Sequence, residues 1–154
     1  MESPLRLLLR WLYRRYQRLS CGLAFASRYL EAQVLRRQTW VVERWPGQGD
    51  LASAKRIAIF VHYDRHGQVA EYVHYYLEQL AVAGYAILFV TNSPKLTPAA
   101  LKALQSRCAL ILRRRNLGYD FGAYRDALRA IPDLSTLDSL ILANDSVYGP
   151  FHPL

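Results

Sequence analysis

Two polar segments of this sequence contain the residue types that could perform chemistry. The first is residues 113–120 (RRRNLGYD), which lie between an apolar run and a helical pattern. Asn116 and Gly118 tolerate the positive φ of a tight turn, and the helix that follows offers free backbone N–H groups to a phosphate. The arginines of residues 113–115 could add charge-assisted hydrogen bonds. The alternative is a structural turn with Asp120 as the helix cap and the arginines in solvent.

Gly122 favours the ligand-binding alternative for this segment. It lies in the first turn of the predicted helix, where a glycine costs roughly 0.8–1.0 kcal/mol relative to alanine. We therefore expect another group to approach closely at this position. A phosphorylated, nucleotide-linked ligand is the kind of group that the neighbouring arginines would suit.

The second polar segment, Asn144-Asp145-Ser146, directly follows an apolar run. An aspartate at the end of a buried strand can hold Mg²⁺ or Mn²⁺, which prefer one or two carboxylates together with phosphate oxygens. The segment contains a single carboxylate, so Asp145 is the one metal candidate in it. The alternative is an Asx turn that closes the strand.

The histidines and cysteines carry less information. None of the four histidines has a compact metal-ligand spacing, but His62 and Asp64 follow an apolar run and could contact a base or a ribose. His74 falls within a helical pattern and is expected to be structural. Cys21 and Cys108 are expected to be small buried or interfacial residues rather than a disulfide. No nucleophile elbow, P-loop or dinucleotide-binding glycine motif occurs, so the catalytic residues stay unknown.

The elements that must position these residues alternate along the chain from residue 55 onward. Short apolar runs rich in β-formers alternate with helical patterns, which predicts strands at residues 57–62, 85–91, 108–112 and 139–143. Continuous apolar strands separated by helices imply an α/β fold, with a parallel sheet covered by helices on both faces. Ligands of such sheets bind beyond the carboxyl ends of the strands. Because each polar segment follows a strand, we expect them to converge at one edge.

The basic character of the chain belongs mainly to its N-terminal part. Residues 1–45 carry nine arginines and three glutamates, a net charge of +6 out of +8 for the chain. Leucines and aromatic residues recur at helical spacing over residues 5–44, which predicts a basic amphipathic helical extension. Such a helix suits an anionic membrane surface, or equally a position against the domain with its arginines in solvent. Nucleic-acid binding ranks last, because the charge is confined to this extension.

The domain boundaries follow from composition. Residues 46–54 are rich in Pro and Gly and predict a linker, which leaves residues 55–154 as one α/β domain. Residues 5–12 are too short and too interrupted by arginine for a membrane span, and no signal peptide is expected. These features predict a cytoplasmic protein that could lie peripherally at the membrane.

Three segments carry a family resemblance: VHYDRHGQVAEYVHYYLEQLAVAGYAILFVTNS, RRRNLGYDFGAYRDAL and LILANDSVYGP, of which NLGYDFG and NDSVYGP are the most specific. Over residues 55–154 the chain resembles the rhamnan synthesis F family of bacterial polysaccharide-assembly proteins. The resemblance implies a glycosyltransferase-type role in making rhamnan or lipopolysaccharide O-antigen. It also implies a fold similar to the nucleotide-binding half of A-type glycosyltransferases. The family name suggests a deoxythymidine-diphosphate rhamnose donor.

The resemblance also implies a site. The donor nucleotide sugar would contact residues of the polar segments, namely His62, Asp64, Asn116, Gly118, Asp120, Arg115, Asn144 and Ser146. Asp145 would bind the metal–diphosphate, although Asn144-Asp145-Ser146 departs from a full Asp-x-Asp. The acceptor would be a glycan or a lipid-linked sugar.

The sequence stops where A-type transferases continue into the half that holds the acceptor site and the catalytic base. Two interpretations therefore stay open at this point. One is a truncated or split glycosyltransferase, and the other is a non-catalytic donor-binding or scaffold protein of the same pathway.

Overall fold

The computed structural model describes residues 39–147 and scattered positions from Tyr13 to Ala26. The chain divides into two units, residues 1–38 and residues 39–154. The described part of the second unit contains β1 (Val41–Pro46), β2 (Arg56–His62), α1 (Glu71–Val82), β3 (Ala86–Thr91), α2 (Pro98–Gln105), β4 (Leu110–Arg114), α3 (Tyr119–Leu128) and β5 (Ser139–Asn144). A short 3₁₀ helix, Leu134–Thr136, precedes β5.

The five strands form one sheet in the order β1-β4-β3-β2-β5. β2 runs parallel to both β3 and β5, and β3 runs parallel to β4. The four predicted strands therefore form a parallel sheet, as expected. All residues from Ile57 to His62 are buried, which is the pattern of a strand covered on both faces.

Helices cover both faces of the sheet. On one face Val73, Leu77 and Leu80 of α1 pack against the apolar side chains of the strands, including Phe60 and Phe89. Their spacing puts them on one side of α1. On the other face α3 contributes Ala123 and Ala127, whose small side chains bring the helix close to the sheet, where Ile59 and Val90 lie. The chain is thus a three-layer α/β fold in this part.

Residues 41–46 correct the prediction of a helical extension over residues 1–45. They form β1, which pairs antiparallel with β4 at the sheet edge, so the sheet is mixed. The alternation VVERWP with β-branched and aromatic residues suits an edge strand, and Glu43 pairs with Arg113 across the two strands. The sequence pattern changes here from a helical period to the alternation of a strand. The helical pattern of the upstream residues was extended across this change, so the strand was not predicted.

The rest of the predicted extension lies mostly outside the described residues. The described positions from Tyr13 to Ala26 are helical. Among the residues that the structure describes, no helix combines the length and the apolar character that crossing a membrane requires.

Arg114, at the end of β4, is a fully buried charge. Its Nε donates to Oδ2 of Asp126 over 3.0 Å, and both side chains are inaccessible to solvent. Its Nη1 donates to Oδ1 of Asn92 and its Nη2 to the carbonyl of Leu117, each over 2.6 Å. Asp126 Oδ2 also accepts the backbone N–H of Trp40 over 3.1 Å. Burial lowers the pKa of Arg114, and the hydrogen bond and charge of Asp126 oppose that shift.

We expect Arg114→Met to lower the free energy of unfolding by about 3–5 kcal/mol, because it leaves the Asp126 carboxylate buried without its main counter-charge. Arg113→Met is the matched control. Its guanidinium pairs with a half-exposed glutamate, so we expect a loss of less than about 1 kcal/mol. Urea unfolding of the two variants measures the difference. Equal losses would contradict this role of Arg114.

Candidate functional site

The candidate site lies where the strand order reverses. α1 leads from β2 to β3 on one side, whereas α3 leads from β4 to β5 on the other side of β2. Connections that leave neighbouring strands in opposite directions open a crevice at the carboxyl ends of those strands. A cavity of about 190 Å³ occupies this position, and the residues that line it include His62, Tyr63, Asp64, Gln68, Tyr72 and Asp145.

Asp145 joins the ends of β2 and β5. Its Oδ2 accepts the backbone N–H of Tyr63 over 2.8 Å, and its own backbone N–H donates to the carbonyl of Val61 over 3.1 Å. The hydroxyl of Tyr72 donates to the Asp145 carbonyl over 3.0 Å. The described residues give Oδ1 of Asp145 no hydrogen-bond donor. One carboxylate oxygen at the cavity is therefore left to accept from a ligand.

His62 lies beneath the cavity and is only 3% exposed. Its Nδ1 is 3.1 Å from Oγ1 of Thr91, which donates to Oγ of Ser93 over 2.7 Å. Burial lowers the pKa of His62, and the negative charges of Asp145 and Asp64 oppose that shift. The imidazole is therefore neutral at neutral pH.

Asp64 lines the cavity, but its carboxylate accepts hydrogen bonds from the backbone of its own loop. Its Oδ1 accepts the backbone N–H groups of His66 and Gln68, each over 2.8 Å. These bonds, the one from Gln68 first, hold the pKa of Asp64 below its usual value. The backbone N–H of Asp64 donates to Oγ of Ser93 over 2.8 Å, which ties this loop to the end of β3.

The loop between β4 and α3 is the tight turn that the sequence predicts. Gly118 has φ of 74° and precedes the first residue of α3. Tyr119, rather than Asn116, is the second residue with a positive φ, at 48°. Oδ1 of Asn116 is buried and has no hydrogen-bond partner, which leaves an acceptor in this loop for an unidentified donor.

The structure brings the two polar segments of the sequence together. Asn144 Nδ2 donates to Oδ2 of Asp120 over 2.8 Å, so Asp120 bonds to the end of β5 instead of capping α3. Partial burial raises the pKa of Tyr124, and the charges of Asp120, Tyr76 and Asp145 raise it further. The carboxylates of Asp120 and Asp145 thus lie near one phenol. Ser146 follows them and is exposed.

The side chains of Arg113 and Arg114 are engaged within the protein, which corrects the prediction that all three arginines could bind phosphate. Arg113 pairs with Glu43 and donates to the carbonyl of Pro94 over 2.8 Å. Arg114 is buried and forms an ion pair with Asp126. Arg115 is exposed, and its backbone N–H donates to the carbonyl of Trp40 over 3.0 Å. A role for the Arg115 side chain in donor binding stays a prediction.

Gly122 is explained by the chain itself. A Cβ on Gly122 would collide with the carbonyl oxygen of Leu117 and lie 2.8 Å from Nη2 of Arg114. The close approach predicted from this glycine therefore exists, but the approaching group is the protein's own loop.

Cys108 and His74 do not line the crevice. Cys108 is buried, as expected, and burial raises the pKa of its thiol to about 12, which keeps it protonated and unreactive. Cys21 lies outside the described residues. His74 is partly buried on α1, and its Nδ1 has no hydrogen-bond partner.

The residues missed by sequence reasoning are mainly the ones that shape the crevice. Tyr63, Gln68 and Tyr72 line it. The helical period of residues 69–80 signals that a face of α1 turns to the sheet, but not that Tyr72 reaches the end of β5. Within residues 39–147 and the described N-terminal positions, no three His, Cys, Asp or Glu side chains gather as a metal site. The prediction that Asp145 binds Mg²⁺ or Mn²⁺ therefore rests on Asp145 and on oxygens that a ligand would bring.

Residues 87–154 match the protein family described as rhamnan synthesis protein F. The resemblance to this family is confirmed for that part of the chain. The matched region contains β3 to β5 and α3, and it begins after His62 and Asp64. The family description connects the chain with polysaccharide biosynthesis.

Two curated relatives are similar to a longer part of the chain. The uncharacterized protein y4gN of Sinorhizobium fredii is 37% identical over 95 residues, which is 61% of this chain and 24% of that protein. Virulence protein VirA of Vibrio anguillarum is 32% identical over 100 residues, which is 63% of this chain and 32% of that protein. The chain thus spans about a quarter to a third of the length of these relatives. No solved structure matches it.

The similarity to these relatives includes the wall of the crevice that follows β2. An aligned region that covers 61% of a 154-residue chain must begin at about residue 61 or earlier. It therefore includes His62, Asp64 and Tyr72 together with part of the sheet. The first half of the crevice belongs to the part of the chain that these relatives share.

We expect the free energy of unfolding to fall as the pH drops below about 6.5, the ordinary pKa of histidine. The pKa of His62 is lowered in the folded protein, and so is that of His74, through burial and the charge of Arg107. The unfolded chain therefore binds these protons first. Above that pH neither group affects the free energy of unfolding.

Urea unfolding at about pH 5.5 and 7.5 measures this dependence. His62→Asn should flatten it, and exposed His66→Asn should leave it unchanged. An equally steep pH dependence in His62→Asn would contradict the assignment.

Proposed function

We propose that this chain binds a nucleotide-sugar donor in the crevice between β2 and β5, as part of a glycosyltransferase-type protein. Its product would belong to a cell-surface polysaccharide, either rhamnan or lipopolysaccharide O-antigen. The observation that carries the proposal is the meeting of Asp145 with the end of β2 at the reversal of strand order. The family match adds the connection with polysaccharide synthesis.

The donor's polar groups find complementary chemistry at this edge. Oδ1 of Asp145 could accept a ribose or sugar hydroxyl, or hold Mg²⁺ or Mn²⁺ that the donor's diphosphate also binds. The first turn of α3 offers backbone N–H groups, and Arg115 a positive charge, to the diphosphate. Neutralising the leaving diphosphate is the electrostatic contribution that such a site would make to sugar transfer.

The acceptor in this proposal is a glycan or a lipid-linked sugar at the cytoplasmic face of the membrane. The eight arginines of residues 1–38 would attract that part of the chain to anionic lipid. The proposal thus places donor binding and membrane attraction in different units of the chain.

A second candidate is a donor-binding or scaffold protein of the same pathway that performs no transfer. The observation that favours it is the engagement of the carboxylates. Asp64, Asp120 and Asp145 each accept a hydrogen bond from the chain itself. A general base needs an oxygen that can reach the acceptor's hydroxyl, and these bonds restrict how far each carboxylate can turn.

We expect Asp145→Asn to weaken binding of deoxythymidine-diphosphate rhamnose in the presence of Mg²⁺ by about tenfold or more, because a charged acceptor is lost. Asparagine keeps an oxygen for the Tyr63 N–H, so the fold should persist. Asp138→Asn is the matched control, since Asp138 is exposed at the opposite end of the same strand. Titration calorimetry measures all three proteins.

Unchanged affinity in Asp145→Asn would refute the assigned site, and absence of binding by the unaltered chain would refute the donor proposal. Release of deoxythymidine diphosphate separates the two candidates. An acceptor-dependent release favours the transferase, whereas binding without release favours the scaffold.

A further inference from the structure

Three exposed aromatic residues belong to the crevice or to the segment beside it, and we call Tyr63, Tyr119 and Phe121 the aromatic rim. Tyr63 lines the cavity, whereas Tyr119 and Phe121 flank Asp120, whose carboxylate bonds to Asn144 at the end of β5. Their side chains are 51%, 74% and 87% exposed, respectively. Large apolar side chains at such exposure near a crevice indicate a binding surface when they are grouped. The donor contacts proposed above involve backbone groups of these segments but none of the three aromatic side chains.

Hydrogen bonds attach both segments that carry the aromatic rim to the end of β5 and the residue that follows it. The Tyr63 backbone bonds to Asp145, whose neighbour Asn144 bonds to Asp120. Asp120 lies between Tyr119 and Phe121 in the chain. Tyr63 in the β2–α1 loop and Tyr119 and Phe121 in the first turn of α3 are thus held at one end of the sheet by the carboxylates of Asp145 and Asp120.

The fold maintains Tyr119 in an unfavourable backbone conformation. A φ of 48° is uncommon for any residue with a side chain, and for a bulky residue it signals strain. Arg114 holds the loop there through hydrogen bonds to the carbonyls of Leu117, over 2.6 Å, and Tyr119, over 3.5 Å. The position of the exposed ring is therefore set by the buried core.

We propose that the aromatic rim binds the sugar rings of a glycan chain, an inference that rests on the proposed function. A pyranose ring presents C–H groups that can pack against the face of an aromatic ring, and hydroxyls that donate to carboxylates. Asp120 and Asp145 supply such acceptors beside the rings. A neutral, polyhydroxylated chain fits both features.

Charge argues against the other occupants. Asp64, Asp120 and Asp145 are carboxylates within or next to the rim, and without a bridging cation they would repel the phosphates of a nucleic acid or of an anionic membrane. The cavity of about 190 Å³ is smaller than the roughly 300–1,000 Å³ that encloses a typical small ligand, so a bound chain must extend over the rim.

The test uses the unaltered 154-residue chain and a tetrasaccharide prepared from rhamnan as the probe, with affinity measured by calorimetry. We expect Phe121→Ala to weaken tetrasaccharide binding about three- to tenfold and the double variant with Tyr119→Ala to weaken it further. Phe121→Trp, which keeps an aromatic face, should retain the affinity. Tyr75→Ala is the control, because Tyr75 is 46% exposed on α1 and outside the cavity.

Binding of deoxythymidine-diphosphate rhamnose to the same variants should stay within about twofold, since the proposed donor contacts in the first turn of α3 are backbone N–H groups, which these variants keep. Three results would overturn the inference: no tetrasaccharide binding by the unaltered chain, an equal loss in Tyr75→Ala, or flotation with anionic phospholipid vesicles that Phe121→Ala abolishes while tetrasaccharide binding persists. Tetrasaccharide binding through the rim without any donor binding would instead refute the proposed function and leave the rim intact.

Discussion

The buried ion pair of Arg114 and Asp126 is the interaction on which the structure around the crevice depends. Removing two charges from water costs several kcal/mol per ion, which only near-complete hydrogen bonding can offset. Here the guanidinium bonds to a carboxylate, an amide oxygen and a loop carbonyl at 3.0 Å or less. These partners belong to α3, to the end of β3 and to the β4–α3 loop. One charge therefore fixes three pieces of backbone relative to each other.

The effect of that constraint reaches the crevice through a series of short bonds. The loop held by Arg114 leads into α3 and so positions Asp120, which bonds to Asn144 at the end of β5. Asp145 then bonds to the end of β2. Carboxylates at this edge consequently have a structural task before any ligand arrives. A rim held in place in this way loses less conformational freedom on binding, which favours affinity.

The parallel sheet was predictable because its strands are buried on both faces and so read as continuous apolar runs. The edge strand β1 was not predictable from the sequence, because its conformation depends on pairing with β4. The residues before it also continue a helical pattern. Arg113 and Arg114 are identical in local sequence character, yet one meets a half-exposed glutamate and the other a buried aspartate twelve residues on. The cost of a glycine in the first turn of a helix predicted that another group approaches Gly122 closely. That this group is the carbonyl of Leu117 follows only from the tertiary structure.

The geometry of the crevice also limits what kind of contribution the chain can make to a reaction. His62 is neutral and within hydrogen-bond distance of Thr91, and the carboxylates of Asp64, Asp120 and Asp145 already accept bonds from the protein. These groups are better suited to orienting a ligand than to moving a proton. Orientation alone can lower the activation free energy substantially. Two reactants held in place no longer lose translational and rotational entropy when they react, as they do in solution. A donor fixed at the strand ends and a glycan laid on the aromatic rim, as proposed above, would supply that contribution.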